Sequence, residues 1–326
     1  MISIRFPVSA QVPAWLRSEA AVALLSSPEL ITLESEKNTD VHAEGVDRVL
    51  QPIIEDLWSQ GPRTFGLISI ETRSGCNNEC SFCPVAHSVD PRPAGELAWA
   101  ELTKIADDLS TLGFDGRIAL FGNNEPLLDR RMPEIVELFR CRCPAADIRI
   151  LSNGTKARVR LVEDLFSAGL STLIINNYSD GQRINPPVRS LLRAADAFAS
   201  SDIRISVRNK DEVLTTRGGT APNKPTPTGP VQGFCALPFT DLYVTSTGNV
   251  ALCCFDAYGR VCMGNVSESS LLEIWHSARF EHYREELMKH NRAALKICEQ
   301  CDFDGFRDPF QRSGRPLTRD DLIGRR

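Results

Sequence analysis

Gly66-Leu-Ile-Ser-Ile-Glu71 is a short apolar run that leads through Thr72-Arg-Ser-Gly75 into Cys76-Asn-Asn-Glu-Cys80-Ser-Phe-Cys83. The run reads as a strand. The three cysteines that follow share one loop at C-x3-C-x2-C spacing. Three thiolates on one loop hold three irons of a [4Fe–4S] cluster and leave the fourth iron open. A zinc site is the alternative: closed structural zinc takes four protein ligands, and His87 stands close enough in sequence to be the fourth.

Outward from this loop, β-rich runs alternate with helical periods. Arg117–Phe121, Ile148–Leu151, Leu173–Asn176 and Ile203–Val207 read as strands. Stretches near Leu97–Leu112, Met132–Arg140, Arg158–Ala168 and Val188–Ser200 read as helices. Such alternation predicts an α/β fold with a parallel sheet and helices packed outside it. Chemistry in such sheets gathers at the carboxyl ends of the strands. Those ends carry the cysteine loop, Gly122-Asn-Asn-Glu125-Pro, Ser152-Asn153-Gly and Asn176-Asn177-Tyr.

A second constellation follows the Gly-, Pro- and Thr-rich stretch 218–232, which reads as a loop or linker. Phe239–Thr245 and Asn249–Cys254 flank Ser246-Thr-Gly as a hairpin, and helices are expected near Leu271–His276 and Phe280–His290. Cys235 precedes the hairpin, Cys253 ends it, and Cys298-Glu-Gln-Cys301 comes after the helices. Four thiolates gathered in this way enclose a complete cluster with no open iron, with zinc again the rival.

The first loop, with Phe82 just before its last cysteine, resembles that of the radical S-adenosylmethionine (SAM) superfamily. The resemblance implies a partial, TIM-like (β/α) barrel in which the open iron binds SAM through its amino and carboxylate groups. Cleavage then yields methionine and a 5′-deoxyadenosyl radical that takes hydrogen from a substrate. It also implies that Glu125 holds the SAM amino group, with Asn123 and Asn124 standing where the family carries glycines. Ser152, Asn153 and Asn177 would contact the methionine and ribose.

With Gly264-Asn-Val, Leu272-Glu-Ile-Trp275 and Arg284, the second set resembles the SPASM/twitch region in its single-cluster form. The resemblance implies an auxiliary [4Fe–4S] cluster on Cys235, Cys253, Cys298 and Cys301, in a small C-terminal unit of a β-hairpin plus helices. Joined to Thr216-Arg217-Gly-Gly, the spacing Cys235-x17-Cys253-x44-Cys298-x2-Cys301 is similar to that of radical SAM dehydrogenases and epimerases of aminoglycoside biosynthesis. What this implies is oxidation of a carbinol of an aminocyclitol or related carbohydrate to a ketone, with the auxiliary cluster taking an electron. Arg217 would lie at the substrate, and a small reductase such as flavodoxin or ferredoxin would supply electrons. Asp256 keeps an acid of the pattern, whereas Phe255 replaces one, which implies a changed substrate. The resemblance runs from about Ile68 to Cys301. Expected units are an N-terminal extension (1–62), the barrel (63–230), the twitch/SPASM unit (231–304) and a tail (305–326).

Composition bounds these readings. The chain has 326 residues, 42% hydrophobic and 24% charged, so an ordinary globular fold is expected. With 37 Lys and Arg against 42 Asp and Glu, the net charge is −5, which gives no footprint for nucleic acid. No apolar run reaches the 18 residues of a membrane helix, and the start Met1-Ile-Ser-Ile-Arg-Phe-Pro lacks the pattern of a signal peptide. An odd count of 11 cysteines in a chain this long, seven of them in metal-type spacings, points to a reducing compartment, the cytoplasm. Residues 1–62 read as a strand over Met1–Val8 and helices over Ala14–Leu25 and Gly45–Trp58, with packing or homodimerisation as their role. The tail reads as a surface or dimer arm. Cys141 and Cys143, at a helix end, are expected to be buried as small apolar groups. Cys254 or Cys262 would be the hydrogen donor if the enzyme were a redox-neutral epimerase. A peptide-modifying enzyme is a third possibility, although residues 1–62 lack the strand–helix order of a leader-binding module.

Overall fold

The computed structural model describes residues 64–180, 183–198, 200–229 and 232–305, together with 51, 52, 54, 55, 58 and 59 before them. The elements expected at 1–8 and 14–25, and the tail beyond 305, lie outside the described residues. In the helix expected over 45–58, the described residues from 51 onward are helical.

In chain order the elements are β1 (Leu67–Ile70), α1 (Trp99–Thr111), β2 (Arg117–Ala119), α2 (Met132–Arg142), β3 (Asp147–Ser152), α3 (Val159–Ser167), β4 (Thr172–Tyr178), α4 (Pro186–Arg193) and β5 (Asp202–Arg208). Then come α5 (Leu237–Thr240), β6 (Asp241–Val244), β7 (Asn249–Ala251), β8 (Cys262–Asn265), α6 (Leu271–Trp275) and α7 (Ala278–Met288). The helices form where the apolar period predicts. In α1, Leu102, Ile105, Ala106 and Leu109 make one buried stripe. Its first turn is closed by Glu101, whose carboxylate accepts from the Ala98 amide at 2.7 Å. In α2 the stripe is Met132, Ile135, Val136 and Phe139.

All eight strands form one sheet in the order β5-β4-β3-β2-β1-β6-β7-β8. The run from β5 to β6 is parallel, and β6-β7-β8 are antiparallel. This is a partial (β/α) barrel with an antiparallel extension. The hairpin of β6 and β7 does not hang apart from the barrel sheet. It continues it, with Leu67 beside Asp241 and Ile70 beside Val244. On the helix-covered face, Ile68, Ile70, Leu242 and Val244 are fully buried. On the opposite face, Ser69 sits beside Tyr243, and Glu71 follows at the carboxyl end.

Three expectations change. The helix expected over Val188–Ser200 stops at Arg193, and a 3-10 turn over Ala195–Phe198 replaces its second half. β8 was not anticipated, because Cys262-Met-Gly-Asn265 has no alternation of its own and becomes a strand by pairing with β7. Cys143 is buried as expected, but Cys141 is exposed, on the solvent side of the last turn of α2. Among the described residues no helix is long and apolar enough to cross a membrane.

Candidate active site

The carboxyl ends of β1 to β4 bring the first cysteine loop and its neighbours together. Gly75, at φ +90°, lets the chain turn out of β1 into Cys76, a conformation that suits glycine. Its carbonyl accepts from the Glu125 amide at 2.9 Å, which fastens the cysteine loop to the end of β2. Phe82 packs on Tyr178 of β4, centroids 5.4 Å apart, and the Ser81 amide donates to the Lys210 carbonyl past β5 at 2.9 Å. Burial pushes the Cys76 thiol up to about 11 and the Cys80 thiol to about 12, and the nearby sulfurs add to both shifts. Thiols held this way need a bound cation to become thiolates.

Glu125 is buried beside this loop. Its Oε1 accepts from the Ser152 hydroxyl at 2.7 Å and the Leu127 amide at 3.0 Å, and its Oε2 from the Asn153 amide at 2.7 Å. Burial raises its carboxyl, and these bonds oppose the rise. Asn153 reaches the other way, donating to the Cys76 sulfur at 3.6 Å and to Asn77 Oδ1 at 2.9 Å. Cys76, Glu125, Ser152 and Asn153 therefore form one connected cluster. Asn123 and Asn124 keep ordinary negative φ, so the loop does not need glycine there. Asn124 braces the turn, accepting from the Gly122 amide at 2.9 Å and donating to the Arg73 carbonyl at 2.9 Å. A cavity of about 740 Å³ opens next to the loop, walled by Asn77, Thr155, Tyr178, Asn185, Arg189 and Lys210 among others.

The second set meets in its own pocket. Cys235, Cys253, Cys298 and Cys301 line it together with Leu237, Leu252, Phe255, Ile297, Phe303 and Arg292. Burial raises all four thiols, Cys301 to about 11, with the neighbouring sulfurs adding to each rise. Phe255 stacks on Phe303 at 4.4 Å, in the wall of this pocket. Ile297 precedes Cys298 at φ +77°, a conformation that a β-branched residue adopts only when the surrounding fold compels it.

Both donor sets fit iron–sulfur clusters. One loop with three cysteines leaves a metal position open, and a pocket walled by apolar groups and four cysteines leaves none.

Between the two sets lies a buried polar network that sequence reasoning missed. Glu71, fully buried, accepts from the Tyr243 hydroxyl at 2.5 Å, the Asn123 amide at 2.6 Å and Arg92 at 3.0 Å. Arg92 also pairs with Asp90 and donates to the Asn123 carbonyl at 2.6 Å. The Asn123 side chain donates to Tyr243 Oη at 2.8 Å and the Cys254 carbonyl at 3.0 Å, and its Oδ1 accepts from Arg217 Nη1 at 2.5 Å. The remaining Arg217 N–H groups meet no acceptor among the described residues. Arg217, Gly218 and Gly219 all have positive φ, and the Gly218 main chain hydrogen-bonds the Cys301 thiol. Arg217 thus has its backbone against the second cysteine set and its guanidinium at the end of β2. The one sequence signal for this network was a charged residue, Glu71, closing an apolar strand.

Other expected site residues have local partners. Asn177 is buried, and its side-chain amide donates to the Arg183 carbonyl and accepts from the Asn185 amide, both at 2.8 Å. The Asp256 carboxylate accepts from the Arg260 and Val261 amides, each at 2.8 Å, and so shapes the turn after Cys253. Cys262 donates to the Gly264 carbonyl within its own strand at 3.3 Å. The Cys254 carbonyl is held by Asn123, and its sulfur lies near enough to Cys235 and Cys253 to help raise both thiols.

Residues 70–198 match the family model of the radical SAM superfamily, and residues 235–302 match that of SPASM, an iron–sulfur cluster-binding domain. The chain thus carries a radical SAM domain followed by a SPASM domain, and these two domains imply SAM and two iron–sulfur clusters as its cofactors. It is similar to the S-adenosyl-L-methionine-dependent 2-deoxy-scyllo-inosamine dehydrogenase of Niallia circulans, at 29% identity over 241 residues, 74% of this chain and 94% of that protein. Among solved structures it resembles BtrN in complex with AdoMet and 2-DOIA, with 28% identity, a TM-score of 0.63, and coverage of 74% of this chain and 95% of that one. An open conformation of BtrN shares the fold at 22% identity and a TM-score of 0.57, over 74% and 94% of the two chains.

Proposed function

We propose that this protein is a radical SAM dehydrogenase that oxidises a secondary alcohol of an aminocyclitol or aminoglycoside to a ketone. Arg217 carries the reading: a half-buried guanidinium with unused donors, fixed between the two cysteine sets. The similarity to a dehydrogenase of an aminocyclitol over nearly its whole length supports the same reading.

Cys76, Cys80 and Cys83 hold the SAM-binding cluster, and Cys235, Cys253, Cys298 and Cys301 hold the auxiliary one. When bound, these groups and SAM supply the radical that removes the carbinol hydrogen and the acceptor for the second electron. The buried Glu125 carboxylate takes the SAM ammonium, with Ser152 and Asn153 keeping its oxygens in place. Asn177 acts one step back by holding the 183–185 loop of the cavity wall. Arg217 donates to the substrate oxygen and stabilises the charge that grows there as the hydroxyl loses its proton. A guanidinium is a poor base, so its part is orientation and charge, not proton removal. Asn123 aims it, and Glu71, Tyr243 and Arg92 fix Asn123. Asp256 positions the main chain behind Cys253. The polar inner face suits a polyol, which offers hydroxyls to several donors at once. Electrons come from a small reductase of the flavodoxin or ferredoxin class, in a reducing compartment such as the cytoplasm.

The test is an anaerobic assay with SAM, a reductant and a panel of aminocyclitols and pseudodisaccharides in deuterated water, read by mass spectrometry. A product two mass units lighter, formed with one 5′-deoxyadenosine, is the expected result. An isomer carrying one solvent deuterium at carbon would overturn it in favour of epimerisation.

A further inference from the structure

Arg292 is buried at 2% exposure in the 3-10 turn after α7. It donates from Nε to the Gly233 carbonyl at 3.0 Å, from Nη1 to Phe303 at 2.6 Å and from Nη2 to Phe234 at 2.7 Å. The chain closes tightly over this group. A Cβ on Gly305 would come within 2.9 Å of Arg292 Nη2. Among the described residues no carboxylate pairs with the guanidinium, although a buried charge is costly without an opposite one. What it faces is the pocket of Cys235, Cys253, Cys298 and Cys301. The guanidinium lies close enough to Cys235, Cys298 and Cys301 for its charge to act on all three, and Asp304 brings the opposite charge near Cys235. The three carbonyls engage one N–H on each nitrogen and bring no formal negative charge to the guanidinium.

We propose that Arg292 is a fixed counter-charge for the auxiliary cluster, raising the reduction potential of that cluster so that it accepts an electron from the substrate. Four thiolates give the site an excess of negative charge, and an added electron deepens it. A cation held in the same low-dielectric pocket stabilises the reduced form more than the oxidised one. With the cluster bound, the substrate radical left after hydrogen abstraction would lose one proton to solvent and one electron to the cluster, forming the ketone. Arg292 itself takes no electron and no proton.

The inference rests on the assignment of the auxiliary cluster to these four cysteines. Its test uses the full chain with Cys76, Cys80 and Cys83 replaced by alanine, so that only the auxiliary centre contributes. Anaerobic redox titration followed by electron paramagnetic resonance reads the midpoint. Arg292→Lys and Arg292→Gln both break the three-carbonyl clamp, but only lysine keeps the charge. The expected result is a midpoint near the parent value for lysine. For glutamine the reduction equilibrium constant should fall at least tenfold, about 59 mV for one electron. Asp304→Asn should move the midpoint upward. Equal shifts for lysine and glutamine, or no shift in either, would overturn the proposal. Loss of the cluster from the glutamine variant alone supports it, whereas loss from both makes Arg292 a scaffold residue and overturns it. Absence of iron and sulfide from the parent triple variant would instead sink the underlying assignment.

Discussion

Glu125 is the residue whose chemistry is most directly testable. A buried carboxylate that takes an ammonium contributes about 1.5–3 kcal/mol, so Glu125→Gln is expected to weaken SAM binding by roughly 10- to 100-fold. Equilibrium dialysis under anaerobic conditions reads this, with iron content unchanged as the control. The pH dependence has a definite sign. Burial raises the Glu125 carboxyl above its ordinary value, and only the ionised form pairs with the ammonium. SAM affinity therefore falls as pH drops through that raised value, and the glutamine variant loses the dependence. At Arg217 the expected loss on Arg217→Ala is about 100-fold in product formation, the scale for removing one donor to a developing oxyanion. Cleavage of SAM should persist, so the ratio of 5′-deoxyadenosine to product rises; an unchanged ratio would remove Arg217 from the substrate site. The strand-to-loop pattern put Glu125, Ser152 and Asn153 at strand ends, and the structure joins them in one cluster, whereas their part in holding SAM is what the family resemblance implies. Asn177 and Asp256 were less legible, since an amide after a strand and an acid in a turn serve nearby backbone equally well. Glu71 and Tyr243, 172 residues apart in sequence, could not be paired without the sheet order.

At the scale of the elements, the Tyr243 side chain of β6 and the Glu71 side chain after β1 press so closely on the loop after β2 that only glycine fits at position 122. A Cβ there would collide with the Tyr243 hydroxyl and come within 2.6 Å of Glu71 Cγ. Gly122→Ala is expected to cost roughly 1–3 kcal/mol by overpacking and to disturb the Asn123 amide that Glu71 holds. Gly229→Ala, which meets nothing within 4 Å, is the comparison and should melt with the parent. Equal melting of the two variants would mean that the Tyr243 and Glu71 side chains give way easily. The elements themselves were largely readable, because each parallel strand and flanking helix carries its own apolar period. β8 was not, since its strand character comes from β7. The end of α4 at Arg193 was missed because the 3-10 turn that follows keeps the apolar spacing, with Phe198 still reaching the core.

For the whole molecule, one sheet carries the first cysteine loop after β1 and Cys253 after β7, with the Arg217 loop linking the two cysteine sets. Because burial pushes Cys76, Cys80 and Cys301 to about 11, 12 and 11, protons compete with iron for these sulfurs throughout the neutral range. Cluster retention against a chelator should therefore increase from pH 6 to pH 8, as measured by iron release under argon. A flat profile would mean that the thiols ionise without help from metal. The sheet order carries one more implication, for how this chain can be divided. β6 covers the outer edge of β1. A fragment ending at 230 would expose the main-chain N–H and C=O groups of Leu67–Ile70, a flat apolar edge ready to recruit strands from other molecules. Such a fragment is expected to collect in inclusion bodies and not to survive as a free barrel. The SPASM segment, whatever electrons it handles, is thus also what keeps the barrel from self-association.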